Sequence, residues 1–218
     1  MGFLIKVADQ TLEEMRVFLD IAVDEIIEGK IIAFPTDSVY GLGCDPTNLN
    51  AVQRLFNIKF RDQSKGFLLL IYNVEEAQKV AQLNSSADKL IRGFWPGELT
   101  LILKRRPDCI IPPEVTGSEE TIGLRVPKNE IILEILKRLK EKGHFGGIVG
   151  TSANYAGEEP SIDGQEVAKK LLTPVDIIID GGKTKSQIPT TIVDCSKEEI
   201  EILREGKITK EQIDEVLK

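Results

Sequence analysis

The sequence predicts a single α/β domain built on a mixed sheet with both faces covered. Three observations carry this. Short apolar runs and capped amphipathic stretches alternate along all 218 residues, the pattern of strands interleaved with helices. Runs such as 67–71 (FLLLI) are apolar without a polar alternation, as strands buried on both faces are. No repeat or low-complexity linker divides the chain, and its length suits one domain spanning 1–218.

The elements follow in order. Thr11 with Glu14 forms a capping-box pair, and Leu12, Met15, Leu19, Ala22 and Ile26 recur at helical spacing until Gly29. Residues 30–34 read as a buried strand stopped by Pro35, after which Thr36, Asp37, Ser38, Tyr40, Gly41 and Gly43 read as loop. A short helix covers 50–57, a strand 67–71, and two helical stretches fill 74–94. Residues 99–103 (LTLIL) and 121–126 (TIGLRV) are strands, the second ended by Pro127. An amphipathic helix over 130–142 ends at Gly143. Residues 148–150 form a short strand, 164–172 a helix, and 175–180 (VDIIID) a strand stopped by Gly181-Gly182. Strands at 191–195 and 201–204 precede a final helix capped by Thr209 and Gln212.

Composition narrows the function. Hydrophobic residues make up 41% and charged residues 29%, as in soluble globular proteins. A net charge of −7 argues against nonspecific coating of nucleic acid but leaves room for a local basic cleft. Cys44, Cys109 and Cys195 are scattered and form no CxxC pair, which reads as reduced and intracellular. The start MGFLIKVADQ has neither the apolar core of a leader nor a myristoylation pattern, since position 6 is Lys. No apolar run approaches the roughly 18 residues of a membrane span. A cytoplasmic protein without membrane contact is expected.

Some motifs are decoys. Gly182-Lys183-Thr184 lacks the earlier glycine of a phosphate-binding loop, because position 177 is Ile. Gly41-Leu42-Gly43 fails as a dinucleotide fingerprint at Pro46. His144 stands alone, with no second histidine to share a metal and no GxSxG turn to serve. No dedicated metal site is expected.

The remaining candidates gather at element boundaries. Thr36, Asp37 and Ser38 follow a strand, where open α/β sheets bind ligands, yet they equally suit a tight turn or helix cap. Lys59 and Arg61, if extended, point to one side and suit a polyphosphate; a surface basic cluster is the other reading. Thr121 and Arg125 share one face of a strand, with Ile122 and Leu124 on the other. A buried Arg there needs an anionic ligand or an internal salt bridge. Gly150-Thr151-Ser152-Ala153-Asn154 supplies small residues and hydroxyls, extended by Gly157 and Ser161. Thr190 opens one late strand and Arg204 closes the other. Hydroxyls, glycines and four cations, without a histidine or cysteine nucleophile, suit an anionic nucleotide and catalysis by positioning and charge.

PTDSVYGLGCD, KFRDQSKGFLLLI, FWPGELTLIL, TIGLRVP, GTSANYAGEEPS and IPTTIVD…ILREG together resemble the YrdC family, in the family's order and over about residues 10–210. The resemblance implies a single domain in which a twisted mixed sheet, with helices on both faces, surrounds a large basic concave cleft. It implies formation of L-threonylcarbamoyladenylate and pyrophosphate from L-threonine, bicarbonate and ATP, with Mg²⁺ arriving on ATP. A tRNA-modifying transferase complex then uses the product at adenosine 37, and direct tRNA contact is a further expectation. By motif, Lys59 and Arg61 would bind phosphate and carry catalysis. Thr121, Ser152, Ser161 and Arg204 would contact ATP. Thr36, Arg125, Gly150 and Thr190 would contact threonine.

The chain departs from the family pattern in places. The stretch after the K-x-R pair lacks the histidine of some members, Asp62 and Glu98 replace usual prolines, and Thr190 replaces a usual Ser. The chain ends at Lys218, so the extra C-terminal domain of long members is expected to be missing. Two other classes compete: an RNA-binding module for tRNA or double-stranded RNA, and a carbamoyltransfer domain. Few aromatics and a net negative charge weigh against the first, and the lack of zinc-finger-like cysteines against the second.

Overall fold

The computed structural model describes residues 2–171, 175–184, 186 and 188–218. Among them, eleven strands form one mixed sheet: β1 (Phe3–Lys6), β2 (Ile32–Phe34), β3 (Gly41–Gly43), β4 (Leu68–Ile71), β5 (Ala81–Gln82), β6 (Leu99–Arg105), β7 (Thr121–Arg125), β8 (Gly147–Ser152), β9 (Ile177–Asp180), β10 (Thr191–Asp194) and β11 (Glu201–Arg204). Their order is β1-β9-β2-β3-β8-β4-β7-β6-β10-β11, with β5 antiparallel to the end of β6. The pairs β1–β9, β9–β2, β4–β7 and β6–β10 are parallel; the others are antiparallel. The helices are α1 (Arg16–Ile27), α2 (Leu49–Lys59), α3 (Val74–Val80), α4 (Ser85–Phe94), α5 (Pro113–Thr116), α6 (Glu130–Glu141), α7 (Gly164–Lys170) and α8 (Lys210–Leu217). Residue 172, the expected end of α7, lies outside the described residues.

Two cores sandwich the sheet. One holds Leu69, Ile71, Leu101, Leu103, Ile122 and Leu124 against Leu55, Val80, Leu90 and Ile213 of α2, α3, α4 and α8. Each such side chain contributes about 1.5–3 kcal/mol on burial. On the other face, Leu19, Ile26, Ile135 and Leu139 of α1 and α6 cover Ile32, Phe34, Leu70, Ile148, Ile177 and Ile179. That second core, among the described residues, takes nothing from β6, β7, β10 or β11. On β6 the first-core residues Leu99, Leu101 and Leu103 are fully buried, whereas Ile102 is half-buried and Lys104 exposed. Helices therefore stand on both faces, but one face is covered over only part of its width.

Several boundaries differ from the sequence reading. The Thr11–Glu14 capping box forms, with Thr11 N–H donating to Glu14 (2.7 Å) and Glu14 N–H to Thr11 (3.3 Å), but one turn precedes α1 and Leu12 is exposed. Residues 41–43, read as loop, are strand β3. Their glycines allow the close packing: a Cβ on Gly41 would lie 2.7 Å from the Phe34 ring, and one on Gly43 2.3 Å from the Val149 carbonyl oxygen. Strand β1 was not apparent because it is short and largely exposed, and it forms where β9 offers an unpaired edge.

Candidate functional site

Strand β7 is the axis of the uncovered face. Ile122 and Leu124 enter the first core, so period-2 alternation turns Thr121, Gly123 and Arg125 the other way. Thr121 and Arg125 stand about 13 Å apart along the strand, from four rises of roughly 3.3 Å. Register places Ser152 of β8 near the level of Thr121, since Gly150 pairs with Leu68 and Leu69 with Leu124. The site thus straddles the face of a mixed sheet rather than lying beyond a common carboxyl edge, because neighbouring strands here run in opposite directions.

Lys59 and Arg61 define one end. The apolar face of α2 (Val52, Leu55, Phe56) packs into the first core and fixes Lys59 as the last helical residue. The expected extended K-x-R geometry is not present. Phe60 caps the helix in the left-handed region (φ 47), with its ring 78% exposed, and redirects the chain between the two cations. Lys59 Nζ donates to the carbonyl of Ser152 (2.7 Å), to Asn154 Oδ1 (3.1 Å) and to the Asn154 carbonyl. Asn154 is itself aimed by its amide, which donates to the carbonyls of Tyr155 (2.8 Å) and Glu158 (2.7 Å). Burial, and secondarily the Arg61 charge, hold the Lys59 pKa down to about 8, with Glu158 opposing. Arg61 Nε donates to the Gly66 carbonyl (2.7 Å), and its guanidinium lies 5.2 Å over the Phe67 ring. Burial lowers its pKa as well. Two cations kept short of carboxylate partners in this way are prepared for an anion.

Arg125, Asp37, Thr190 and Arg204 define the other end. Arg125 Nε donates to the Gly97 carbonyl (2.9 Å) and Nη2 donates to Asp37, so the internal salt bridge is formed. Thr36 tightens the preceding turn: its hydroxyl donates to the Val39 carbonyl (2.6 Å) and accepts from Ser38 N–H (3.1 Å). Of the two readings of this stretch, these bonds show the tight turn. Arg204 donates to the Thr190 carbonyl through Nε (3.0 Å) and Nη2 (2.8 Å), and to the Thr190 hydroxyl (3.1 Å). The Thr100 hydroxyl lies 3.3 Å from that of Thr190. Desolvation and then the nearby Arg125 charge lower the Arg204 pKa.

The other candidates take varied positions. Thr121 donates to the Ser118 hydroxyl (2.9 Å). Ser161 is fully buried, its carbonyl accepting from Tyr40 N–H (2.9 Å) and its hydroxyl lacking a partner among the described residues. Gly150 lies inside β8, where a Cβ would fall 2.7 Å from Leu70 Cγ, so strand packing alone requires a glycine there. Sequence reasoning noted Asn154 in its loop and Glu98 as a replaced proline without giving either a role at the site, and it passed over Thr100. Glu98 sits between Arg125 and Asp37 electrostatically, its pKa raised by burial and then by Asp37. With Asp37 it makes this end of the cleft mixed in charge rather than basic. Only the pairing of β7 with β6 and the fold of the 95–98 turn bring that carboxylate to Arg125.

Fold and site together define an α/β domain that presents cations, hydroxyls and two carboxylates across one half-open sheet face, suited to an extended polar ligand. A family model described as telomere recombination, that of the Sua5, YciO and YrdC proteins, matches residues 24–206. The chain belongs to this family. It is 33% identical to a threonylcarbamoyl-AMP synthase of Pyrococcus abyssi over all of this chain and 61% of that protein. It is 34% identical to a putative threonylcarbamoyl-AMP synthase of Methanocaldococcus jannaschii over 94% of this chain and 93% of the other. A crystal structure of P. abyssi Sua5 complexed with L-threonine superposes with a TM-score of 0.88 at 31% identity, over 99% of this chain and 61% of that one. The chain thus spans about three-fifths of the P. abyssi relative's length and nearly all of the M. jannaschii one.

Proposed function

We propose that this chain forms L-threonylcarbamoyladenylate and pyrophosphate from L-threonine, bicarbonate and ATP. The observation that carries the reading is the meeting of two distant motifs at Lys59, whose ammonium is held by Ser152 and Asn154 beside Arg61. The names and the threonine complex of the relatives support the choice of substrates.

ATP lies towards Lys59, Arg61, Thr121, Ser152 and Ser161, with Arg204 reaching it from the far rim. Threonine lies towards Thr36, Arg125, Gly150 and Thr190, its carboxylate on Arg125. The threonine amine, having lost a proton, bonds to the carbon of bicarbonate with loss of water to give the carbamate; a carbamate oxygen attacks the α-phosphorus, and the bond to pyrophosphate breaks. Lys59 and Arg61 stabilise charge on the phosphates and leaving group in a partly desolvated setting, which requires no protein nucleophile. Mg²⁺ enters as part of the ATP substrate. In this reading a tRNA-modifying transferase complex consumes the adenylate at adenosine 37, and the chain works in the cytoplasm. Among the described residues no helix is long and apolar enough to cross a membrane.

Mass spectrometry of products after incubation with MgATP, L-threonine and bicarbonate tests the proposal. The adenylate should appear only when all three are present. Salt-dependent tRNA binding without ATP turnover would instead favour the RNA-binding module.

A further inference from the structure

Two carboxylates stand at the amino-acid end of the site without a role in the chemistry above. Glu98 opens the turn into β6, and its backbone is fixed on both sides. Gly97 N–H donates to the Val126 carbonyl (2.8 Å), the Gly97 carbonyl accepts from Arg125 Nε (2.9 Å), and the Glu98 carbonyl accepts from Thr191 N–H (3.1 Å). The turn is thereby tied to the same arginine that holds Asp37.

Glu98 Oε2 and Asp37 Oδ2 are both shut off from solvent without a hydrogen-bond donor. Among the described residues they are the only carboxylate oxygens in that condition. Buried acceptors are normally satisfied, so two orphans on segments held by the same arginine point to a donor brought by the ligand. The neighbouring charges indicate what kind. Asp37, from the loop after β2, pairs with Arg125 on β7, and Glu98, before β6, lies within electrostatic reach of Asp37, Arg125 and Lys207. Arg125 and Lys207 against Asp37 and Glu98 leave no net charge, and a zwitterionic amino acid keeps that balance, its carboxylate towards the cations and its ammonium towards the carboxylates. The two orphaned oxygens then call for a cationic donor, and an ammonium group offers three N–H bonds.

We propose that Glu98, together with Asp37, receives the α-ammonium group of the amino-acid substrate as it enters, so that the site selects an amino acid over the same acid without its amine. The proposal rests on the amino-acid reading of the site. It makes Glu98 a specificity residue particular to chains with a carboxylate at this place in the turn.

The test is calorimetric titration of wild type and Glu98→Gln with L-threonine and with 3-hydroxybutyrate, each with a non-hydrolysable ATP analogue present. Glutamine keeps the shape, and the Glu98 side chain makes no hydrogen bond whose loss would unfold the turn. Loss of a charge-assisted bond should weaken threonine binding about 10- to 100-fold. Binding of 3-hydroxybutyrate, which lacks the amine, should not weaken. Wild-type preference retained in Glu98→Gln overturns the proposal, as does equal weakening of both ligands, which marks a merely structural role. Failure of the wild type itself to bind threonine overturns the amino-acid reading, and is seen before any variant is measured.

Discussion

Replacing Lys59 by Met tests how the site stores its affinity for phosphate. Lys59 is about 4% exposed, and its ammonium is held by three oxygens, none of them a carboxylate. Its pKa falls from 10.5 to about 8. At 1.36 kcal/mol per unit, carrying the charge in the folded protein costs about 3 kcal/mol. The folded pKa lies below the unfolded one, so between about pH 8 and 10.5 the unfolded chain binds the extra proton. Stability contributed by this group therefore rises with pH through that window. In urea unfolding at pH 7 and pH 10.5, wild type should gain on Lys59→Met by about 3 kcal/mol between the two. Nucleotide binding carries the opposite dependence, because phosphate pairs with the protonated lysine. Wild-type affinity for ATP should hold below pH 8 and fall by up to tenfold per unit above it, while Lys59→Met binds about 10- to 100-fold more weakly at pH 7 and lacks that slope. Equal pH slopes in the two proteins, or unchanged ATP affinity in the variant, would refute the argument.

Other outcomes follow from the same contacts. Arg61→Ala should lower kcat/KM for pyrophosphate release by about 30- to 1,000-fold, the equivalent of 2–4 kcal/mol of lost charge stabilisation; unchanged turnover would return Arg61 to a surface role. Asp37→Ala leaves the Arg125 guanidinium buried without its carboxylate and should destabilise by about 3–5 kcal/mol, whereas Asp37→Ala with Arg125→Met should recover much of that in denaturant melts. Gly66→Ala should lower Tm by about 5 °C or more in thermal unfolding. Gly66 has φ 49, and a Cβ would fall 1.9 Å from the Thr116 carbonyl carbon.

Local chemistry made much of the fold legible in the chain itself. Capping pairs at Thr11–Glu14 and Thr209–Gln212, glycine stops at Gly29 and Gly143, and unbroken apolar runs such as 67–71 act over a few residues, so their consequences appear in order along the sequence. The alternation of Thr121 and Arg125 against Ile122 and Leu124 was equally readable, because strand geometry leaves no other choice. The six motifs and their order carried the family. Tertiary structure decided what each group meets. Whether Arg125 finds a ligand or a carboxylate depended on Asp37, 88 residues away. Packing of α2 had to bring Lys59 to Asn154, 95 residues away, and Phe60 had to turn left-handed to set the path on to Arg61. Glu98 looked like a substituted proline until β7 and β6 paired and set its carboxylate beside Arg125 and Asp37. Charge and burial at such a position are sums over neighbours brought together from distant parts of the chain, and only the folded arrangement performs that sum.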